Sequence, residues 1–267
     1  LKNTRRLLQI MAILRDPEQG CPWDRKQDFS SLIPYLLEEA YEVVDAIERE
    51  DYGDLKEELG DLLLQIAFHA QLASEQGLFD FESVAEVLCD KLTRRHPHVF
   101  ADVQYQNDTQ RAVAWEQAKA SERLEKQKVN NQVSVSVLAG VAASLPALMH
   151  AEKLQSRAAR HGFDWPDVSP VFDKVQEELD EVRAAFESGD QEHIVEEVGD
   201  LLFVAVNLAR HLGVEPETAL KSGSRKFTRR FQYIEKRIDE QNRALDECAL
   251  AELDALWDEA KAVLPKS

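Results

Sequence analysis

The octet "EELGDLLL" at residues 57–64 returns as "EEVGDLLF" at 196–203, 139 residues later. Extending the match, 57–71 and 196–210 share 7 identities in 15 positions. Upstream, "LLEEAYEVVDAI" (36–47) lies against "VQEELDEVRAAF" (175–186) at the same offset, and downstream "DKLTRR" (90–95) answers "SRKFTRR" (224–230). Before the first block, "CPWD" (21–24) loosely parallels "GFDWPD" (162–167). One such match is within reach of chance between helical sequences, but four in one order are the mark of a duplicated domain. The chain must therefore fold as one unit made twice. The segment "QKVNNQVSVSVLAGVAAS" (127–144) breaks the pattern with paired Asn, Val-Ser repeats and Gly. It divides a first copy (1–126) from a second (145–267), each of ordinary domain size.

Each copy reads as a small all-α bundle. Only 10 Gly and 9 Pro stand in 267 residues, and the Ala, Leu, Glu, Lys and Arg that dominate favour helix. Leu7, Leu8, Met11 and Leu14 carry the spacing of an amphipathic helix at the start of the chain. The repeated core predicts a helical hairpin: a helix over about 31–49, a turn at "REDYGD" (49–54), and a second helix capped by Asp54 with Glu57 completing a capping box. In the second copy "ESGD" (187–190) makes the turn, and short connections make the two helices antiparallel neighbours. Further helices are predicted near 81–95 and 216–245.

The acids of the hairpin are spaced for convergence. Glu178 and Glu181 are three residues apart on its first helix, as are Glu197 and Asp200 on its second; Glu39/Glu42 and Glu58/Asp61 repeat both pairs. At 100° per residue each pair shares one helix face. Acids so spaced most often form a solvated face. The stretch "VGDLLFVAVNLA" (198–209) argues otherwise, because it is apolar almost all round, with Asp200 and Asn207 as its polar residues. Such a helix is expected to be buried, and a buried carboxylate needs a partner or a metal. Gly60 and Gly199, inside the octets, are expected to mark close helix approach or ordinary tight packing. All-carboxylate ligation suits Mg²⁺, with Mn²⁺ as substitute, over zinc or copper. A di-iron bundle would need Glu-x-x-His, and no histidine has Glu three positions before it.

A metal held by acids commonly handles phosphates, and a second duplicated feature fits that use. Lys91, Arg94 and Arg95 recur as Lys226, Arg229 and Arg230, side chains able to clamp phosphate oxygens or to form a salt-bridged surface. With 50 acids against 32 bases, a net charge of −18 disfavours nucleic-acid polymers and anionic membranes as partners. No apolar run reaches membrane-spanning length, and the three cysteines, odd in number and far apart, fit thiols of a reducing, cytoplasmic compartment.

Taken together, "EE-x-x-E" (38–42) with "E-x-x-D" (58–61), and again at 177–181 and 197–200, resembles the all-α nucleoside triphosphate pyrophosphohydrolases. With "GCPWD" (20–24), "RRHPHVF" (94–100), "GFDW" (162–165) and "KFTRRF" (226–231), nearly the whole chain is similar to the two-copy MazG proteins, the linker least so. The resemblance implies Mg²⁺-dependent hydrolysis of nucleoside triphosphates to monophosphate and pyrophosphate, broad across NTPs and dNTPs. Matched by position, the metal ligands would be Glu178, Glu181, Glu197 and Asp200, and Glu39, Glu42, Glu58 and Asp61 in the first copy. Glu178 would orient or deprotonate the attacking water. Lys226, Arg229 and Arg230 would clamp phosphates, with Lys174 and Glu177 nearby, Asn207 toward the nucleotide and Trp257 at a family position near it. The resemblance further implies a homodimer and catalysis by the second copy, where Asn207 stands against Phe68 of the first. A dUTP- or phosphoribosyl-ATP-type specificity, or a non-catalytic nucleotide-sensing or protein-binding scaffold, are the alternatives.

Overall fold

A computed structural model of the chain describes residues 2–129 and 136–264. Residues 130–135 of the expected linker lie outside the described residues. The chain divides into two compact units at residues 131/132, and all regular structure among the described residues is helical. The first unit holds α1 (Lys2–Leu14), α2 (Ile33–Glu48), α3 (Tyr52–Glu75), α4 (Phe81–Arg95), the short α5 (Pro97–Phe100) and α6 (Asp108–Val129). The second holds α7 (Ala147–Ala159), α8 (Ser169–Ser188), α9 (Gln191–His211), α10 (Pro216–Asp239) and α11 (Leu250–Val263). The helix expected over 216–245 ends at Asp239, and a single 3₁₀ turn follows at Leu245–Glu247.

The hairpins α2–α3 and α8–α9 are the most extensively packed helix pairs. Their turns use different chemistry. Gly189 ends α8 in the left-handed region (φ 74°), and the Asp190 side chain then accepts from the backbone N–H groups of Glu192 and His193 to start α9. In the first unit Glu50 takes the left-handed conformation (φ 56°) without glycine's steric freedom. There the cap is Asp51, accepting from Gly53 and Asp54 N–H at 3.1 Å each, and not the expected Asp54. Asp54 instead pairs with Arg49 in the first turn of α3.

A third helix lies across each hairpin: α1 packs on α3, and α7 on α9. Met11 of α1 is buried with Leu32, Phe68 and Leu72, joined by Leu14, Phe29 and Leu64 at the edge. An arginine near the end of each crossing helix ties down irregular chain. Arg15 donates to the Gln27 carbonyl at 3.2 Å and pairs with Glu75 at 2.6 Å. Arg157 donates to the carbonyls of Leu138 and Gly140 at 3.2 Å each, and to that of Ala139. Gly20 of "GCPWD" is fixed by its turn, since a Cβ there would meet the backbone of Leu14 and Asp16 at 2.4–2.7 Å. Gly60 and Gly199 behave differently from expectation: a Cβ on either meets nothing within 4 Å. Within the described structure they mark open helix surface, not close approach.

Because Phe68 fills the centre of the first unit's apolar cluster, Phe68→Ala should destabilise that unit by about 3–5 kcal/mol. An exposed apolar change such as Ile13→Ala should stay within about 0.5 kcal/mol. Urea denaturation of the two variants checks the contrast.

Candidate active site

The α8–α9 hairpin brings Glu178, Glu197 and Asp200 together, each offering a carboxylate oxygen within 4.8 Å of the others. In α2–α3 the corresponding cluster is Glu39, Glu42 and Glu58. Each copy thus gathers three of its four predicted acids, and not the same three. Glu181 stands just outside the second cluster, where partial desolvation and then the charge of Glu178 push its carboxyl up. Desolvation, followed by the charge of Asp61, likewise raises Glu39, and desolvation with the charge of Glu42 raises Glu58. Asp61 therefore acts on its cluster electrostatically while lying outside the group of three.

The burial expected of Asp200 is not observed. Asp200 is exposed, while Glu178, on the partner helix, is the acid taken out of water, with 5% of its surface accessible. The apolar run around Asp200 is correspondingly uncovered, with Val198, Leu202 and Phe203 exposed. Lys174 Nζ pairs with Glu178 Oε1 and Glu177 Oε1 at 2.8 Å each, which raises the lysine's pKa and keeps its ammonium charged. Glu178 Oε2 is buried without a hydrogen-bond partner. His193 Nε2 lies 3.0 Å from Glu197 Oε1.

A cavity of about 320 Å³ opens beside these acids. Lys174, Glu178, Asp200 and Asn207, all singled out from sequence, line it together. So do Gln155, Phe163, Trp165 and Arg210. Phe163 and Trp165 belong to the "GFDW" motif, but nothing in the sequence pattern pointed to Gln155 or Arg210. Asp164, between the two aromatics, accepts from Arg210 Nη1 at 3.0 Å, and Arg210 and His211 hold its carboxyl below the usual range. In the first copy the position of Asn207 is taken by Phe68, buried in the apolar cluster.

The chain is similar to known proteins along nearly its whole length. The chain is 48% identical over 258 residues to a nucleoside triphosphate pyrophosphohydrolase of Escherichia coli K12, covering 96% of each. It is 44% identical over 255 residues to the nucleoside triphosphate pyrophosphohydrolase/pyrophosphatase MazG of Thermotoga maritima, covering 96% of this chain and 94% of that one. The chain belongs to the MazG family. Residues 27–100 match the MazG nucleotide pyrophosphohydrolase domain, and residues 150–227 match phosphoribosyl-ATP pyrophosphohydrolase. Both hairpins of acids fall inside the matched segments, so this MazG chain carries two tandem pyrophosphohydrolase domains of all-α fold.

The duplicated cations of the MazG pair have diverged. In the second unit Arg230 stacks over Trp257 at 5.3 Å and Phe227 lies against the same ring at 5.3 Å. Lys226, Arg229 and Arg230 lie on α10, outside the lining of the cavity. In the first unit Arg95 stacks over Trp115 at 5.5 Å, so α6 carries the counterpart of Trp257. There the likeness ends, because Glu122 of α6 accepts from Arg94 Nη2 at 2.8 Å and from Arg95 Nε at 3.2 Å. The arginines expected to bind phosphate in this copy are held by a carboxylate of their own chain.

Arg95 and then Arg94 pull the Glu122 carboxyl down to about 2 from an ordinary 4.5. A folded value below the unfolded one means the stabilisation is complete above pH 4.5 and fades as pH falls from there towards 2. Glu122→Gln should therefore remove part of the acid sensitivity of the first unit. Urea unfolding at about pH 5 and about pH 3 should show a smaller loss of stability in the variant than in the parent.

Proposed function

We propose that the second unit (145–267, following the 127–144 connection) hydrolyses nucleoside triphosphates to monophosphate and pyrophosphate with Mg²⁺, or Mn²⁺ as substitute, and that the first unit supports the assembly without turning over substrate. The observation that carries this is the meeting, in the second unit, of a carboxylate cluster with a cavity at the Asn207 position. The corresponding position in the first unit is packed with Phe68. Breadth across NTPs and dNTPs fits a cavity of about 320 Å³ whose walls are mainly apolar and aromatic.

The residues present fit a divalent cation. All donors are oxygens, as Mg²⁺ and Mn²⁺ prefer, and Glu178 Oε2 is a buried carboxylate oxygen with no partner of its own. Glu178, Glu197 and Asp200 would hold the ion, with Glu181 at the rim. Bound there, the ion supplies neutralisation of the triphosphate and a lowered pKa for water. Lys174 fixes Glu178 through Oε1, and Glu178 orients and deprotonates the water that attacks at the α–β bridge. Glu177 holds Lys174 from the other side. Lys226, Arg229 and Arg230, beside Trp257, would meet the outer phosphates. In the first unit, Glu39, Glu42, Glu58 and Asp61 form the corresponding cation site.

A homodimer is supported by the surface the chain leaves uncovered. Phe172, Phe186, Val195 and Leu202 on α8 and α9, with Tyr35, Leu37 and Leu63 on α2 and α3, are exposed. Apolar faces of this extent mark protein interfaces. Three unpaired cysteines support a reducing cytoplasmic setting. No helix of the described residues is long and apolar enough to cross a membrane.

Glu178→Gln, Glu197→Gln and Asp200→Asn should each lower kcat for pyrophosphate release by about a hundredfold or more. Glu42→Gln and Glu58→Gln should change it by less than about twofold. Removal of Mg²⁺ with a chelator should abolish turnover and Mn²⁺ should restore it. Full activity in the three second-unit variants would overturn the assignment. Separately, Leu202→Glu should shift the sedimenting species towards monomer.

A further inference from the structure

We propose that Gln155 and Asn207 read the hydrogen-bonding edge of the nucleobase, as a fixed acceptor beside a fixed donor. The proposal rests on the second unit being the site of nucleotide hydrolysis and goes beyond the metal and phosphate machinery.

Both residues line the cavity and are more than nine-tenths buried, with 8% and 6% of their surface accessible. Each amide is locked in one orientation by what one end touches. Gln155 Nε2 donates to the Phe203 carbonyl at 2.7 Å, leaving Oε1 buried and without a hydrogen bond. Asn207 Oδ1 accepts from Arg210 Nε at 3.0 Å and Nη2 at 2.8 Å. Its Nδ2 group, the donating end, then faces away from the guanidinium. Arg210 is itself held by Asp164 at 3.0 Å. Turning either amide over would set carbonyl against carbonyl, or an NH₂ against a guanidinium, so the polarity of both is determined by their neighbours. The Phe203 carbonyl that anchors Gln155 lies four residues, a rise of about 6 Å, before Asn207 on α9.

Gln155 and Asn207 thus bring one acceptor and one donor of fixed polarity to the lining of a cavity with apolar and aromatic walls. Every standard base offers the complement on its pairing edge, an N–H beside an acceptor: N6–H and N1 in adenine, N4–H and N3 in cytosine, N1–H and O6 in guanine, N3–H and O4 in uracil and thymine. An acceptor–donor pair of this kind admits all of them. It disfavours a base whose edge has lost its N–H or carries an alkyl group there, because a buried carbonyl is then left unpaired. In the first copy Phe68 replaces the donor and packs against Met11, Leu32 and Leu72.

The test compares ATP with purine riboside triphosphate, which keeps the ring acceptor but lacks the amino group, on the full chain with Mg²⁺. The unmodified protein should show a kcat/KM about ten- to a hundredfold lower for the analogue, carried by KM, as expected for one unpaired buried acceptor. N3-methyl-UTP should fall below UTP in the same way. Gln155→Met should lower kcat/KM for ATP to about the analogue's level and leave the analogue unchanged, so that the two substrates converge. Equal treatment of ATP and the analogue by the unmodified protein would overturn the proposal. So would a loss in Gln155→Met that is the same for both substrates, since that is what a structural role predicts. Calorimetry of the α,β-methylene analogues of ATP and of purine riboside triphosphate with Mg²⁺ makes the same comparison without turnover. A protein that binds but does not cleave would then contradict the proposed hydrolysis and still decide the edge reading: unequal affinities support it and equal affinities overturn it.

Discussion

The structure depends on a repulsion. Two antiparallel helices pack with three carboxylates held within 4.8 Å of one another, and one of the three, Glu178, is largely removed from water. Lys174 meets Glu178 through Oε1, and partial desolvation followed by the charge of Glu178 raises the carboxyl of Glu181. A hairpin that gathers three acids in each copy, with raised carboxyls at Glu39 and Glu58 as well, could hold a positive charge supplied from outside the chain.

From that shared starting point the two copies have diverged in two places. At the cavity, Asn207 held by Arg210 stands where Phe68 is packed by Met11, Leu32 and Leu72. At the cations, Glu122 occupies Arg94 and Arg95, whereas α11 has come to its end by the matching place after Trp257. In the first unit both places meet the protein itself, which accords with the proposed catalysis by the second unit.

How much of this was legible depended on whether the cause was local. The duplicated octets, helix periods and i,i+3 acids predicted the hairpins and singled out Glu178, Asp200 and Asn207, because helical geometry turns spacing into position; these line one cavity with Lys174, which the resemblance implied. The cap falls at Asp51 although Asp54 is the residue with a Glu three positions on, because only the backbone shows which carboxylate faces the first N–H groups. The burial of Asp200 was misjudged for a different reason. An all-round apolar helix needs covering, but the sequence does not say whether its own chain or a second one does so, and here Val198, Leu202 and Phe203 remain exposed. Gln155 and Glu122 carried no signal, since their roles come from partners 48 and 27 residues away.

The position of the cavity bears on which bond is cut. Its lining includes Lys174, Glu178 and Asp200, so a base seated, as proposed, on Gln155 and Asn207 would share one cavity with the carboxylates. On that reading the α-phosphorus, the one nearest the base, would be the first a nucleotide brings to Glu178. Binding energy from the base, remote from the reacting atoms, sets that register and is spent on orientation at the reacting centre. A triphosphate held by its phosphates alone would be able to slide, presenting its β- or γ-phosphorus to the same acids. The proposed seating of the base would thus favour pyrophosphate as the leaving group, at the position, Asn207, that the other copy fills with Phe68.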